Sequence, residues 1–204
     1  MSATEAKIYE FRIVLKDIKP TIWRQIQVPE NYTFGHLSDA IISSMGWYGS
    51  HMHQFYVRNS LTGKREIIGE KPNSDDNFCV STMWENDVEI KKYFVDNQKK
   101  ALYIYDMGDG WVHDITLIKI SIAEKNVNYP KCIDGKGACP PENCGGSSGY
   151  MQLLNLRKKK NLTTNEQEEL NNYFMDGCNF DPEYFDPEKV IFLTPKLFND
   201  CCTS

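Results

Sequence analysis

The sequence predicts an α+β fold, one domain over residues 1–204 with a mainly antiparallel sheet of about five strands packed by helices. Three observations carry this. Short stretches such as "IYEFRIVLK" alternate apolar and polar residues with the period of two of a half-buried strand. One segment, "FGHLSDAIISSM", instead repeats its apolar residues at helical spacing. With 204 residues, 41% apolar and 25% charged, the chain is long and apolar enough for one core without disulfides or metal.

In the first strand Tyr9, Phe11, Ile13 and Leu15 alternate with Glu10, Arg12 and Lys16. After the break at Lys19-Pro20, "TIWRQIQV" repeats the pattern with Ile22, Ile26 and Val28 on one face, and Pro29 closes it. The two runs predict an antiparallel pair. Arg24 is the odd charge there and is expected to pair with a buried carboxylate. Thr33 is placed to cap a helix along Phe34, Leu37, Ile41 and Met45 that stops at Gly46. "HMHQFYVR" reads as a third strand.

Residues 59–100 lack clean periodicity and read as a variable excursion. "LYIYD", the connection "MGDG" and "WVHDITLIKI" predict a β-hairpin of central strands. "PKCIDGKGACPPENCGGSSGY" is too rich in Gly and Pro for regular structure and too apolar for a linker, so an ordered loop is expected. "GYMQLLNLRKK" then reads as helical, Thr164 with Gln167 as the capping box of another helix, and "DGCNFDPEYFDPEKV" as two Asp-Pro turns.

A net charge of −5 argues against a large phosphate-contacting surface. The run Arg157-Lys158-Lys159-Lys160 reads as the solvated end of a helix. "MSATEAKIYEF" has no apolar signal region, and no run approaches the roughly eighteen apolar residues of a membrane span. The expectation is a cytoplasmic protein that touches no membrane and keeps its seven cysteines reduced.

The segments "YEFRIVLKDIKPTIWRQIQVP", "HMHQF", "YIYDMGDGWVHDI", "YPKCIDGKGACPPENCGGSSGY" and "FDPEYFDPEKV", in that order, resemble the plasmid pRiA4b ORF-3-like domain family over nearly the whole chain. The resemblance implies a compact α+β domain of the kind found on plasmids, as insertion-sequence passengers and in chromosomes, with no established activity. Some members carry a resolvase-type label, but nothing here resembles a serine resolvase's nucleophile or basic helix-turn-helix. The family loop resembles "CPPEDxGG", whereas this chain has Asn143 at the usual acid and Cys144 at the variable place.

Two constellations could carry chemistry. His113 shares a strand face with Trp111, and Asp106 and Asp109 flank Gly108 in the turn before it. These three are the catalytic candidates. His51 and His53, two apart, are expected on one strand face, where with His113 and a carboxylate they would suit zinc or non-haem iron. Cys132, Cys139 and Cys144 lack CxxC spacing, yet Cys139 and Cys144 could join His113 in a mixed metal site. Buried packing accounts equally for the thiols, and turn geometry for the aspartates. The preferred reading is a noncatalytic binding or accessory module for a protein or small-molecule partner, with a cleft near Trp111, Gly145, Gly146 and Tyr150. A small metal-dependent enzyme is the first alternative. A nucleic-acid accessory protein, disfavoured by the acidic charge, is the second.

Overall fold

The computed structural model describes residues 6–71, 81–96, 98–174 and 180–192. Four of the cysteines, Cys79, Cys178, Cys201 and Cys202, and the start of the expected "DGCNF" turn lie outside them. The strands are β1 (Lys7–Leu15), β2 (Trp23–Pro29), β3 (His53–Arg58), β4 (Arg65–Gly69), β5 (Met83–Trp84), β6 (Lys100–Tyr105), β7 (Trp111–Ile122) and β8 (Lys131–Lys136). The helices are α1 (Phe34–Met45), α2 (Gly146–Arg157) and α3 (Thr164–Tyr173).

All eight strands join one sheet in the order β5-β4-β3-β6-β7-β1-β2-β8. The expectation of about five antiparallel strands is therefore corrected to an eight-stranded mixed sheet, since β4 and β5 pair in parallel. The additional strands had weak signals. In β4, "REIIG", two adjacent isoleucines break the alternation, and β5 has only two residues. β8 hides in the Gly-containing "KCIDGK" and forms by pairing with β2, so the expected loop begins as an edge strand.

The five expected strands form as read, with β1 antiparallel to β2 and β6 to β7. One face carries Phe11, Ile13, Ile26, Val28, Phe55, Tyr103, Ile115 and Leu117, all buried, and burial of each such side chain contributes roughly 1.5–3 kcal/mol. Helix α1 lies over this face, with Phe34 set edge-on against Phe55 at 5.0 Å. Its start is capped reciprocally: Thr33 Oγ1 accepts from His36 N and His36 Nδ1 accepts from Thr33 N, both at 3.3 Å. His36 thus takes the place a glutamate usually fills. Gly46, at φ +88°, ends the helix. In α3 the box is Thr163 with Glu166, one residue before the expected pair, because Thr163 keeps the extended backbone of a cap.

Arg24 also departs from expectation. It is 1% exposed and, among the described residues, has no carboxylate partner. Its guanidinium donates to the carbonyls of Ser44 (2.8 Å), Trp23 (2.8 Å) and Lys136 (3.1 Å), and the Phe185 ring covers it at 3.7 Å. The side chain ties α1, β2, β8 and the later "FDP" segment together. Arg24→Leu removes the donors and strands those carbonyls, so a stability loss of roughly 3 kcal/mol is expected in urea unfolding. A loss below about 0.5 kcal/mol would contradict the role.

Candidate functional site

The hairpin and the cysteine loop meet. Asp106, at φ +58°, opens the turn, and its Oδ1 accepts from the backbone N–H of Gly108 (2.9 Å) and Asp109 (3.2 Å). Gly146, at φ +67°, lies so close that a Cβ there would stand 2.2 Å from the Asp109 carbonyl oxygen. Trp47, just past α1, donates from Nε1 to the Pro140 carbonyl at 2.9 Å. The end of α1, the hairpin and the loop therefore brace one another.

Between them is a closed aromatic layer. Trp47 stacks on Tyr105 at 5.1 Å, tilts against Trp111 at 5.6 Å and meets His113 edge-on at 5.5 Å. His113 is wholly buried, and among the described residues neither ring nitrogen closes a hydrogen bond with another side chain. Burial pulls its pKa down to about 4 against the opposing backbone of Tyr103 and Trp111, so the ring is neutral at pH 7. Trp111 and Tyr150 are likewise buried, Gly145 is the left-handed cap of α2, and Gly146 is the contact point. Of the four residues expected to line a cleft, Trp111 packs against Trp47 and Tyr150 against Phe180.

The two neighbouring histidines diverge. His53 opens β3, but His51 precedes the strand, so strand alternation does not extend to it. His51 Nδ1 stands 3.7 Å from Asp106 Oδ2. His53 sits between two carboxylates, Nε2 at 2.6 Å from Glu85 and Nδ1 at 3.0 Å from Glu70. Burial alone would lower its pKa, but Glu70 and Glu85 raise it to about 9, making an imidazolium at neutral pH. Because its two nitrogens face different carboxylates, the three groups do not aim at a common point. Among the described residues no cluster of three or more His, Cys, Asp or Glu is arranged to hold a metal ion.

The thiols are held protonated. Burial, then the Asp109 charge, lifts Cys144 to about 12, and burial lifts Cys139 further. His113 contacts the rings of Trp47 and Tyr103. Cys144 Sγ instead approaches the Gly146 carbonyl at 4.0 Å.

An open cleft of about 600 Å³ lies just outside the aromatic layer. Trp47, Tyr48, Pro140, Glu142, Asn143 and Phe174 are among the residues forming its walls. Glu142 fixes its geometry, since one carboxylate oxygen accepts from the Tyr105 hydroxyl and the other from the Tyr48 N–H at 3.1 Å. Tyr48 projects into solvent at the mouth, 88% exposed. Sequence reading alone missed Tyr48, Tyr105, Glu142, Glu70 and Glu85 as site residues. The "CPPEN" and "GWYG" strings held a usable signal for the cleft, since Pro pairs and exposed aromatics mark rigid recognition surfaces.

Among described residues, no helix is long and apolar enough to cross a membrane. Residues 7–189 match the family described as plasmid pRiA4b ORF-3-like protein. The chain is 26% identical over 149 residues to the uncharacterized protein y4hQ of Sinorhizobium fredii (strain NBRC 101917 / NGR234), covering 72% of each. It also resembles the crystal structure of a protein of unknown function, MM3350 from Methanosarcina mazei Go1, with TM-score 0.81 and 38% identity, covering 93% of this chain and 100% of that one. With a match running from the first strand to the last helical turn, the chain belongs to the plasmid pRiA4b ORF-3-like protein family.

Proposed function

We propose that the protein is a noncatalytic binding module, a single domain that takes a small molecule or a short protein segment in the cleft beside Tyr48 and Glu142. The observation that carries this is a cleft of about 600 Å³ with pinned walls and an exposed aromatic at its mouth, the form of a pre-built recognition site. The groups that could do chemistry are otherwise engaged. His53 is held between two carboxylates, His113 is sealed in the core, and Cys144 is held as a thiol. Cys132, Cys139 and Cys144 are free thiols, which fits a reducing cytoplasm. The family description names a plasmid reading frame, and on that ground we assign the module to accessory products of mobile elements.

The test is an amide-shift titration of the labelled full chain against a library of small molecules and short peptides. Ligands should shift the amides of residues 46–50 and 139–143, and Tyr48→Ala should weaken them about tenfold with unchanged stability, because that side chain is solvent-exposed. Elemental analysis of the same sample should return no stoichiometric zinc or iron. About one metal per chain, lost in a folded His51→Ala or Asp106→Ala variant, would put the metal-dependent enzyme first and remove this reading.

A further inference from the structure

On the face of the sheet opposite α1, Arg58, Arg65, Lys100 and Asp114 are exposed, and the strand registers align its charges. Arg58 pairs with Arg65, Lys100 with Thr116, Thr116 with Arg12 and Arg12 with Gln25. Arg58 and Lys100 stand opposite each other when the β3/β6 register is continued two residues past Tyr56–Leu102. Directly opposed residues in antiparallel strands point to the same side, so Arg65, Arg58, Lys100 and Arg12 form one cationic row across β4, β3, β6, β7 and β1. At strand spacings of about 4.8 Å the row runs roughly 19 Å.

Two carboxylates on this face are already paired, Asp114 with Lys16 at 3.9 Å and Glu10 with Lys119 at 3.2 Å, and Asp134, opposite Gln25, closes the row at its β8 end. Among the described residues, Arg65 and Lys100 make no side-chain ion pair, and the Arg58 guanidinium donates to the Gly63 carbonyl at 3.2 Å. A chain of net charge −5 thus carries, among its described residues, a row of four cations from β4 to β1. Beside the stripe runs a second row with Tyr56 and Leu102, each 36% exposed. The Tyr56 hydroxyl donates to Gln54 Oε1 at 3.2 Å, two residues back along the strand, which tethers the half-buried ring to the sheet. Arg12 stacks over Trp23 at 3.8 Å further along. A groove of about 460 Å³ is lined by Arg65, Arg58, Tyr56, Lys100, Leu102 and Asp114, with Arg12 and Trp23 beyond its end.

We infer that this outer sheet face binds single-stranded nucleic acid, phosphates running along Arg65, Arg58, Lys100 and Arg12 and bases stacking at Tyr56. A cationic track beside a half-buried aromatic on a sheet face suits that ligand, because bases of any sequence offer a stacking face while phosphates supply the charge. An acidic peptide would satisfy the cations and leave Tyr56 unused. This face is separate from the cleft proposed above and stands or falls independently of it.

The test is fluorescence anisotropy of a labelled oligothymidylate of about twelve nucleotides with the full chain, at several salt concentrations. Binding is expected at low salt, weakening with a log–log slope near −3 if about four phosphates are neutralised. The pair Arg58→Glu/Lys100→Glu should lower affinity more than about tenfold and flatten the slope by about half. Tyr56→Ala should lower affinity about tenfold and leave the slope unchanged. Absence of binding at low salt overturns the inference. So does loss of binding with Lys158→Glu/Lys160→Glu instead, which would assign it to the basic end of α2, or equal affinity for a polyglutamate peptide, which would make the face a general anion surface.

Discussion

Gly146→Ala is expected to destabilise the protein by several kcal/mol more than Gly63→Ala, although both glycines hold nearly the same backbone conformation, φ +67° and +68°. That left-handed backbone costs an alanine roughly 1–2 kcal/mol at either site. At Gly63 nothing lies within 4 Å of the added methyl, so that cost is the whole effect. At Gly146 the methyl would stand 2.2 Å from the Asp109 carbonyl oxygen, and that oxygen belongs to backbone that cannot swing aside. Asp109 sits in a turn already fixed by the Asp106 carboxylate and by Gly110 N donating to the Asp106 carbonyl at 2.6 Å. The loop must retreat, and with it the Pro140 carbonyl that Trp47 uses and the Glu142 carboxylate that holds Tyr48. Chemical unfolding of the two variants side by side measures the difference. Equal losses would mean that the hairpin and loop do not brace each other, and the cleft would lose its claim to be pre-built.

What was legible in the sequence was what a single segment states by itself. Strands β1, β2, β3, β6 and β7 alternate cleanly, and α1 carries both its cap at Thr33 and its stop at Gly46. Strands β4, β5 and β8 are too short or too broken for periodicity, and exist because a neighbouring edge supplies hydrogen bonds. The same limit applies to the site. His53 stood out as a residue, but its partners Glu70 and Glu85 come from the stretch without pattern. Arg24 was visibly unusual, yet its carbonyl partners lie as far away as Lys136. The cationic row of the outer face is scattered over Arg12, Arg58, Arg65 and Lys100, and only strand register makes it a row.

Stability should peak near pH 6.5 and fall on both sides, with a different histidine responsible for each limb. For His53 the folded pKa of about 9 lies above the ordinary 6.5, because Glu70 and Glu85 outweigh its burial. Its contribution is therefore complete below pH 6.5, where the unfolded state also holds the proton, and is lost as pH rises toward 9. For His113 the folded pKa of about 4 lies below 6.5, through burial. Its sign is opposite: the contribution is complete above pH 6.5 and is lost as pH falls toward 4, because unfolding lets the ring take a proton that the core refuses. Each difference of about 2.5 pH units corresponds to roughly 3 kcal/mol at most. The alkaline limb belongs to His53 alone only up to about pH 8.5, beyond which the thiols of Cys139 and Cys144, raised in the fold, ionise first in the unfolded chain and add to the loss. Urea midpoints taken from pH 4.5 to 8.5 should trace this dome. His53→Gln should flatten the alkaline limb and leave the acid one, because glutamine cannot bind the proton that Glu70 and Glu85 stabilise. His113→Gln should flatten the acid limb in a protein of lower overall stability, since a neutral amide cannot acquire charge on unfolding. An alkaline limb that survives in His53→Gln would mean that the imidazole between Glu70 and Glu85 is neutral, and the carboxylate clamp would then have to be reassigned as a site with a proton, or a cation, still to receive.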